Sequence, residues 1–477
     1  MSVSIGPAKA ADPGPGHDAD RRRLLKAGLA VAGGAALGPA LSGCGEAPRT
    51  PVPGDAAWRN WSGSQASTPK AWLDPRDEAE LIAQLRSASG PLRVTGAGHS
   101  FSALCKTDDT LFSIDQLQGV IDHDPDTLQA TVWAGTRLRD LGSPLWDLGQ
   151  GLSNQGDVDP QSVAGACGTS THGTGITLGS FSSVVRRVRL VTPQGEIVEA
   201  DAARETDVFH AAATSLGALG IVSQIRLQNR AAYKLHEREY LEDLPTVLSK
   251  LDAYVRDNRH FEFWTFFETD RAVVKLLNET TAEDTPPPSL ELPVDAVLNL
   301  TSEIAHNVGG MDGAMQKLLT LLHSATERVG RSYAIFPSPR NSRFNEMEYE
   351  IPAAKGPECL LEIRDLVRKA GIRTLFPVEY RYVAADNSWL SPFYGRESAS
   401  ISVHQYHTVD YRELFDLVEP IFWKYEGRPH WGKLHTLGAR ELVDRYPRWD
   451  DYRRIRERLD PKGRMLNEHL RKLLVLP

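Results

Sequence analysis

Apolar residues recur at helical spacing at Leu81, Ile82 and Leu85, with an Asp-Pro pair just upstream at positions 74 and 75. This predicts an amphipathic helix capped by Asp74, with Pro75 at its first position. The short apolar run from Leu92 to Val94 predicts a buried strand. Strand-like alternation returns at residues 130–135, 188–192 and 220–225, with helical stretches between. From Ala231 the segments become longer and more amphipathic. They include an aromatic-rich strand at 261–267, an exposed turn at Thr285-Pro286-Pro287-Pro288 and a largely helical stretch at 294–331. The pattern predicts an α+β chain of two domains, residues 58–230 and 231–477, without a solenoid repeat. In Phe376-Pro377-Val378-Glu379-Tyr380-Arg381-Tyr382 a period of two puts Glu379 and Arg381 on one face. Two opposite charges placed this way fit either an exposed strand face or a shared pocket.

Two glycine-rich stretches carry the candidate chemistry. In Thr95-Gly96-Ala97-Gly98-His99-Ser100-Phe101, small residues follow the strand and let backbone N–H groups approach a phosphate. His99 stands where a dinucleotide fold would open its helix, so the nicotinamide fingerprint fails. Without a Lys followed by Ser or Thr, a nucleoside triphosphate loop fails as well. The histidine is either a satisfied core residue or a point of attachment. A second stretch, Ser162-Val163-Ala164-Gly165-Ala166-Cys167-Gly168-Thr169-Ser170-Thr171-His172-Gly173-Thr174-Gly175, adds backbone donors and hydroxyls. Two such loops suit one long, diphosphate-bearing ligand.

Composition narrows the partners. A net charge of -8 and a pI near 6.0 argue against nucleic-acid binding through a broad basic face, leaving a small molecule as the expected partner. The cysteines, Cys44, Cys105, Cys167 and Cys359, are too scattered for a disulfide framework or for metal-ligand spacing, so no metal is expected. Residues 1–20 read as a disordered leader. Arg21-Arg22-Arg23-Leu24-Leu25-Lys26 then precedes a weakly apolar run too short to span a membrane, the pattern of a twin-arginine export signal. Leu41-Ser42-Gly43-Cys44 resembles a lipobox, which makes residues 1–43 a removed signal, Cys44 a lipidated anchor and 44–57 a tether. The expected location is extracytoplasmic or periplasmic, on the membrane.

Gly96-Ala97-Gly98-His99-Ser100, Thr171-His172-Gly173-Thr174-Gly175 and the later His430-Trp431-Gly432-Lys433 together resemble the vanillyl-alcohol-oxidase-type flavoproteins, and among them the sugar-1,4-lactone and alditol oxidases. The resemblance runs from about Trp58 to the C-terminus. It implies a two-domain flavoprotein, with an FAD-binding domain over 58–230 and an α+β substrate domain over 231–477. The segment around Asp460-Pro461 would return toward the flavin.

By the same resemblance, FAD is held by Thr95, Gly96, Ala97, Gly98, His99, Ser100, Phe101, Gly156, Ser162, Gly165, Thr169, Thr171, His172, Gly173 and Ile221, with His99 as the covalent attachment point. Glu379 would bind or deprotonate a sugar hydroxyl. Arg381 would orient the substrate and favour the negative charge of reduced flavin. Lys433, held near that arginine with a depressed pKa, would serve as a base. Gly156 is either a turn glycine or a gate that admits oxygen. Asp157 and His404 stand where alditol oxidases place a serine and a threonine on substrate, which argues against linear polyols. The implied activity is oxidation of a sugar-lactone or polyol hydroxyl with oxygen as acceptor. The alternatives are a dehydrogenase feeding a quinone or cytochrome, and a sugar-binding surface lipoprotein without catalysis.

Overall fold

Ile221–Gln228 alternates buried and half-buried side chains along its length, as a strand with one face on a core must. In the computed structural model, which describes residues 58–286, 316, 325–338, 342–372 and 374–476, this strand lies in a five-stranded antiparallel sheet. Its neighbours are Val185–Val191 and Gln129–Trp133, flanked by Ile197–Asp201 and Val120–Asp124. A second sheet of three parallel-paired strands, Ala71–Leu73, Thr110–Ser113 and Leu92–Thr95, carries the first glycine-rich loop at its end. The signal, the tether, Cys44 and most of the stretch expected to be helical at 294–331 lie outside the described residues.

Two sequence expectations are corrected here. The first helix runs Glu78–Ser87 and is capped by Asp77, whose side chain accepts from Glu80 N at 2.8 Å, so Asp74-Pro75 lies before the cap. Leu81 and Leu85 do form its buried face. At the far end of the expected helical stretch, Thr326–Arg331 is a strand paired antiparallel with Lys234–Asp243. That pairing satisfies its backbone in the sheet, a tertiary contact that local pattern cannot reveal.

From Lys234 onward the chain builds one eight-stranded antiparallel sheet. Its order is Thr326–Arg331, Lys234–Asp243, Arg271–Thr280, His260–Thr265, Val378–Val383, Ser398–Tyr406, Phe344–Pro352 and Arg428–Pro429. Helices Gly356–Ala370 and Arg412–Lys424 pack on the Phe344–Pro352 and Ser398–Tyr406 strands. Tyr349 stacks on Phe422 of the second helix at 4.8 Å. The alternate residues Glu346, Glu348 and Glu350 are also buried, which leaves this strand with no solvent face.

The C-terminus returns to the first loop. Leu92 N donates to Arg464 O at 2.7 Å, and Asn467 Nδ2 donates to Ala103 O and Lys106 O at 2.8 Å each. Arg93, 2% exposed, donates to the carbonyls of Leu104, Leu216, Gly217 and Met465 at 2.5–3.0 Å, sewing three distant segments to the loop's strand. Burial pushes its pKa down to about 10, so it stays charged at neutral pH.

Candidate active site

The glycines decide how closely the loops approach. A Cβ on Gly96 would lie 2.3 Å from Ser162 Oγ, so the two glycine-rich stretches meet where Gly96 crosses Ser162. Ser162 in turn caps the short helix Val163–Gly168, its hydroxyl accepting from Gly165 N at 3.2 Å. Gly173 sits against the preceding turn, where an added Cβ would lie 1.9 Å from Gln155 O. The third motif joins through Phe101 N to Gly432 O at 2.7 Å and Ser102 Oγ to Trp431 O at 2.9 Å.

These contacts frame a partly open cleft lined by Trp61, His99, Ser100, Phe101, Val158, Gln161, Thr169, Phe344, Glu346, His430, Gly432 and Lys433. His99 stacks on Trp61 at 5.5 Å. Burial, then Arg137 and Lys433, push its pKa down to about 4, so its imidazole is neutral and available as a nucleophile at physiological pH.

Charged groups gather on one face of the large sheet. Arg381 donates from Nε to Glu262 at 2.8 Å and from Nη2 to Glu379 at 2.5 Å and to Asp157. Glu379 and Arg381 thus share a face, as the strand period requires, and the pair is buried. Lys275 closes this group, with Nζ 3.2 Å from Glu262 and 3.3 Å from Asp157. Lys433 Nζ lies 2.5 Å from Glu346 and 3.3 Å from Glu348. Carboxylate oxygens of Glu346 and Glu379 and a ring nitrogen of His404 lie within 4.8 Å of one another, linking the two groups.

One site expectation changes. Lys433 pairs with carboxylates, not with an arginine: burial alone would drive off its proton, but Glu346 and Glu348 outweigh burial and raise its pKa above the ordinary lysine value. It is a fixed cation, and the base assignment is withdrawn. Asp157, 3% exposed, binds Arg381 and Lys275 and so belongs to the buried charged group around Glu379 and Arg381. The Ile221 side chain is fully buried in an apolar cluster with Leu81, Leu85, Leu92 and Met465, which leaves only its backbone for a cofactor. His404 has Nδ1 2.8 Å from Pro377 O and Nε2 3.5 Å from Glu346, beside the cleft-lining Phe344. Thr95 accepts from Trp58 Nε1 at 3.2 Å, and the Thr169 and Thr171 hydroxyls lie 3.4 Å apart.

Sequence reasoning missed Trp61, Phe344, Glu262, Lys275 and the acidic row Glu346, Glu348 and Glu350. The row had a signal, since acids alternate with Met347, Tyr349 and Ile351. An acid–apolar alternation ordinarily means a solvated strand face, so its burial has to be paired.

Residues 69–201 match the model of an FAD binding domain. The fold is that of the cholesterol oxidase from B. sterolicum, with a TM-score of 0.72 at 16% identity over 90% of this chain and 100% of that one. Fold and site define a two-domain, FAD-dependent oxidoreductase acting on CH–OH donors. Residues 225–473 match the D-arabinono-1,4-lactone oxidase model. The L-gulono-1,4-lactone dehydrogenase of Mycobacterium tuberculosis is 39% identical over 425 residues, 87% of this chain and 99% of that protein. The L-gulonolactone oxidase of Scyliorhinus torazame is 29% identical over 428 residues, 87% of this chain and 97% of that protein. The chain belongs to the D-arabinono-1,4-lactone oxidase family.

The residues present fit FAD. Arg137 Nη1 is buried without a partner and lies 3.7 Å from the Cβ position of Gly96, a cation beside a glycine-rich loop, as a diphosphate requires. Gln161 Oε1, at the cleft wall, is likewise buried and unpaired.

The glycine contacts separate two substitutions. Gly173→Ala forces a methyl into a backbone carbonyl and should cost about 3 kcal/mol or more, with loss of bound flavin. Gly156→Ala meets His172 O at 3.3 Å and Thr171 Cγ2 at 3.4 Å, so it needs only a slight shift. Thermal melts and flavin-to-protein ratios should therefore fall for the first variant and hold for the second; equal behaviour would mean the turn is looser than its contacts.

Proposed function

We propose that the protein oxidises a hydroxyl-bearing carbon of a sugar-1,4-lactone or a related polyol. The carrying observation is that Lys433 and His99 line one cleft, with Glu379 and Arg381 linked to it through Glu346. Bound FAD supplies the ring that accepts hydride. Glu379 takes the hydroxyl proton: its Oε1 already receives Trp264 Nε1 at 2.8 Å and Arg381 Nη2 at 2.5 Å, so Oε2 serves the substrate. Lys433 and Arg381 are fixed positive charges that hold substrate oxygens and favour negative charge as it develops. The ring-closed lactones acted on by the family's namesake and by the Mycobacterium tuberculosis relative support a lactone over a linear polyol.

His99 carries the flavin covalently in this reading, supported by its neutral imidazole at the cleft wall. Acid precipitation should leave yellow colour in the protein pellet, and His99→Ala should release it to the supernatant. A colourless wild-type pellet would end the assignment.

The leader supports export through the twin-arginine route and anchoring by a lipid on Cys44. Cys44→Ala should move the protein from the membrane fraction to the soluble extracytoplasmic fraction. If the wild type is already soluble, the lipobox reading fails.

Oxygen is the proposed acceptor, on the strength of Gly156, whose missing side chain leaves room beside Thr171 and His172. The second reading, a dehydrogenase that passes electrons to a quinone or cytochrome, is favoured by the name of the 39% identical relative. A panel of aldonolactones, alditols and aldoses, read by coupled peroxide detection and by an artificial dye, tests substrate and acceptor together. Under the oxidase reading a lactone yields peroxide, and Gly156→Ala slows reoxidation by oxygen while dye reduction continues, because a methyl suffices to obstruct a close-packed route. Turnover with dye alone in the wild type would select the dehydrogenase.

A further inference from the structure

Lys433 is bound to one strand by its backbone and by its side chain. Leu434 N donates to Glu346 O at 2.9 Å and His430 N to Glu348 O at 3.0 Å, so the turn bearing Lys433 is fastened at both ends. Between those bonds, the ammonium lies against the carboxylates of the same two residues, at 2.5 and 3.3 Å. A lysine stem is rich in rotamers, and a charge meant for a transition state is useful only if it is already in place.

We propose that Glu346 is a positioning residue that sets both the place and the charge of Lys433, and that Glu348 couples this cation to His172 in the second glycine-rich loop. The inference rests on the reading that Lys433 faces the reacting substrate.

Glu348 Oε1 is 2.6 Å from His172 Nε2 and accepts from Ser400 Oγ at 2.7 Å. His172 Nδ1 lies 2.8 Å from Gly173 O, which can only accept, so Nδ1 donates there and Nε2 is turned to Glu348. Burial would raise Glu348, but Lys433 and then His172 outweigh it and hold the carboxyl well below its ordinary range. Glu350, 3.6 Å from His172, is the opposite case. Burial and the Glu348 charge push it well above the carboxylate range, so it is the neutral acid of the row. Two carboxylates thus face Lys433, and Glu348 also takes His172, an arrangement in which Glu346 belongs to the lysine alone.

The groups that bear on Lys433 are Glu346 and Glu348 on one strand, Glu379 on another, His430 on its own turn and His99 on the first loop; His404 stands behind Glu346. Removing the Glu346 charge leaves burial less opposed, so the Lys433 pKa falls and the alkaline limb of activity moves to lower pH.

The experiment is anaerobic stopped-flow reduction of the flavin-loaded protein by its best lactone across pH, for wild type, Glu346→Gln, Glu346→Asp and Lys433→Met. Flavin content and melting temperature are read alongside. Wild type should hold its rate into the alkaline range, while Glu346→Gln should lose about ten- to a hundredfold in rate and begin its falling limb at lower pH than wild type. Glu346→Asp should restore part of both. An unmoved limb in Glu346→Gln, with Lys433→Met slow, overturns the positioning role and spares the function. Lys433→Met at wild-type speed overturns both this proposal and the place of Lys433 in the mechanism. Should Glu346→Gln fail to retain flavin, Glu346→Asp decides: its longer gap to the ammonium must shift the limb, and no shift refutes the proposal.

Discussion

A carboxylate buried beneath a glycine-rich loop is the joint of this molecule. Glu348 holds His172 on one oxygen and Ser400 beside it, and lies against Lys433 on the other. Each of those partners comes from a different part of the chain. A buried charge is tolerable only when paired and hydrogen-bonded, and removing one partner of such a pair typically costs about 3–5 kcal/mol. The second loop and the Lys433 turn are therefore held in register by an interaction that neither can give up.

The same constraint explains the large sheet. Its strand Phe344–Pro352 sends Met347, Tyr349 and Ile351 into the apolar core and Glu346, Glu348 and Glu350 toward the site. An acidic face usually stays in water; here the loops that frame the cleft cover it, and Lys433 and His172 supply what solvent would have supplied. Arg381 and Lys275 do the same for Asp157, Glu262 and Glu379. Dry, paired charges of this kind are rigid, which is what a site that must stabilise developing charge requires.

What could be read in the chain beforehand follows from how local each feature is. Glycine spacing marks Gly96 and Gly173, where close approach excludes a side chain, and Gly98, whose φ of +66° favours glycine; the two-residue period of a strand settles that Glu379 and Arg381 share a face. The partners of a charge are not local. Lys433 was expected beside an arginine and lies beside two glutamates 85 and 87 positions earlier in the chain. Asp77, not Asp74, caps the first helix because capping depends on the backbone reaching the next N–H groups, which an attractive Asp-Pro pair does not guarantee. Thr326–Arg331 became a strand because an edge of the sheet was available to it.

The charge arrangement also assigns the acid–base work. Lys433 keeps its proton because its two carboxylates outweigh burial, and Arg381 has Nε and Nη2 committed to three carboxylates. Neither cation can take a proton from a substrate hydroxyl. Glu262, the carboxyl opposite Arg381 in the sheet register, is raised to about 7 by burial and by the Asp157 charge, but it is fully buried. Glu379 combines an accepting oxygen with proximity to Glu346 and His404 at the cleft, which is why the proposed reading gives the proton to this carboxylate and leaves the cations fixed. Glu379 is itself paired with Arg381 at 2.5 Å and its charge helps hold the proton on Lys433, so in that reading the acceptor and the cations are set as one coupled group.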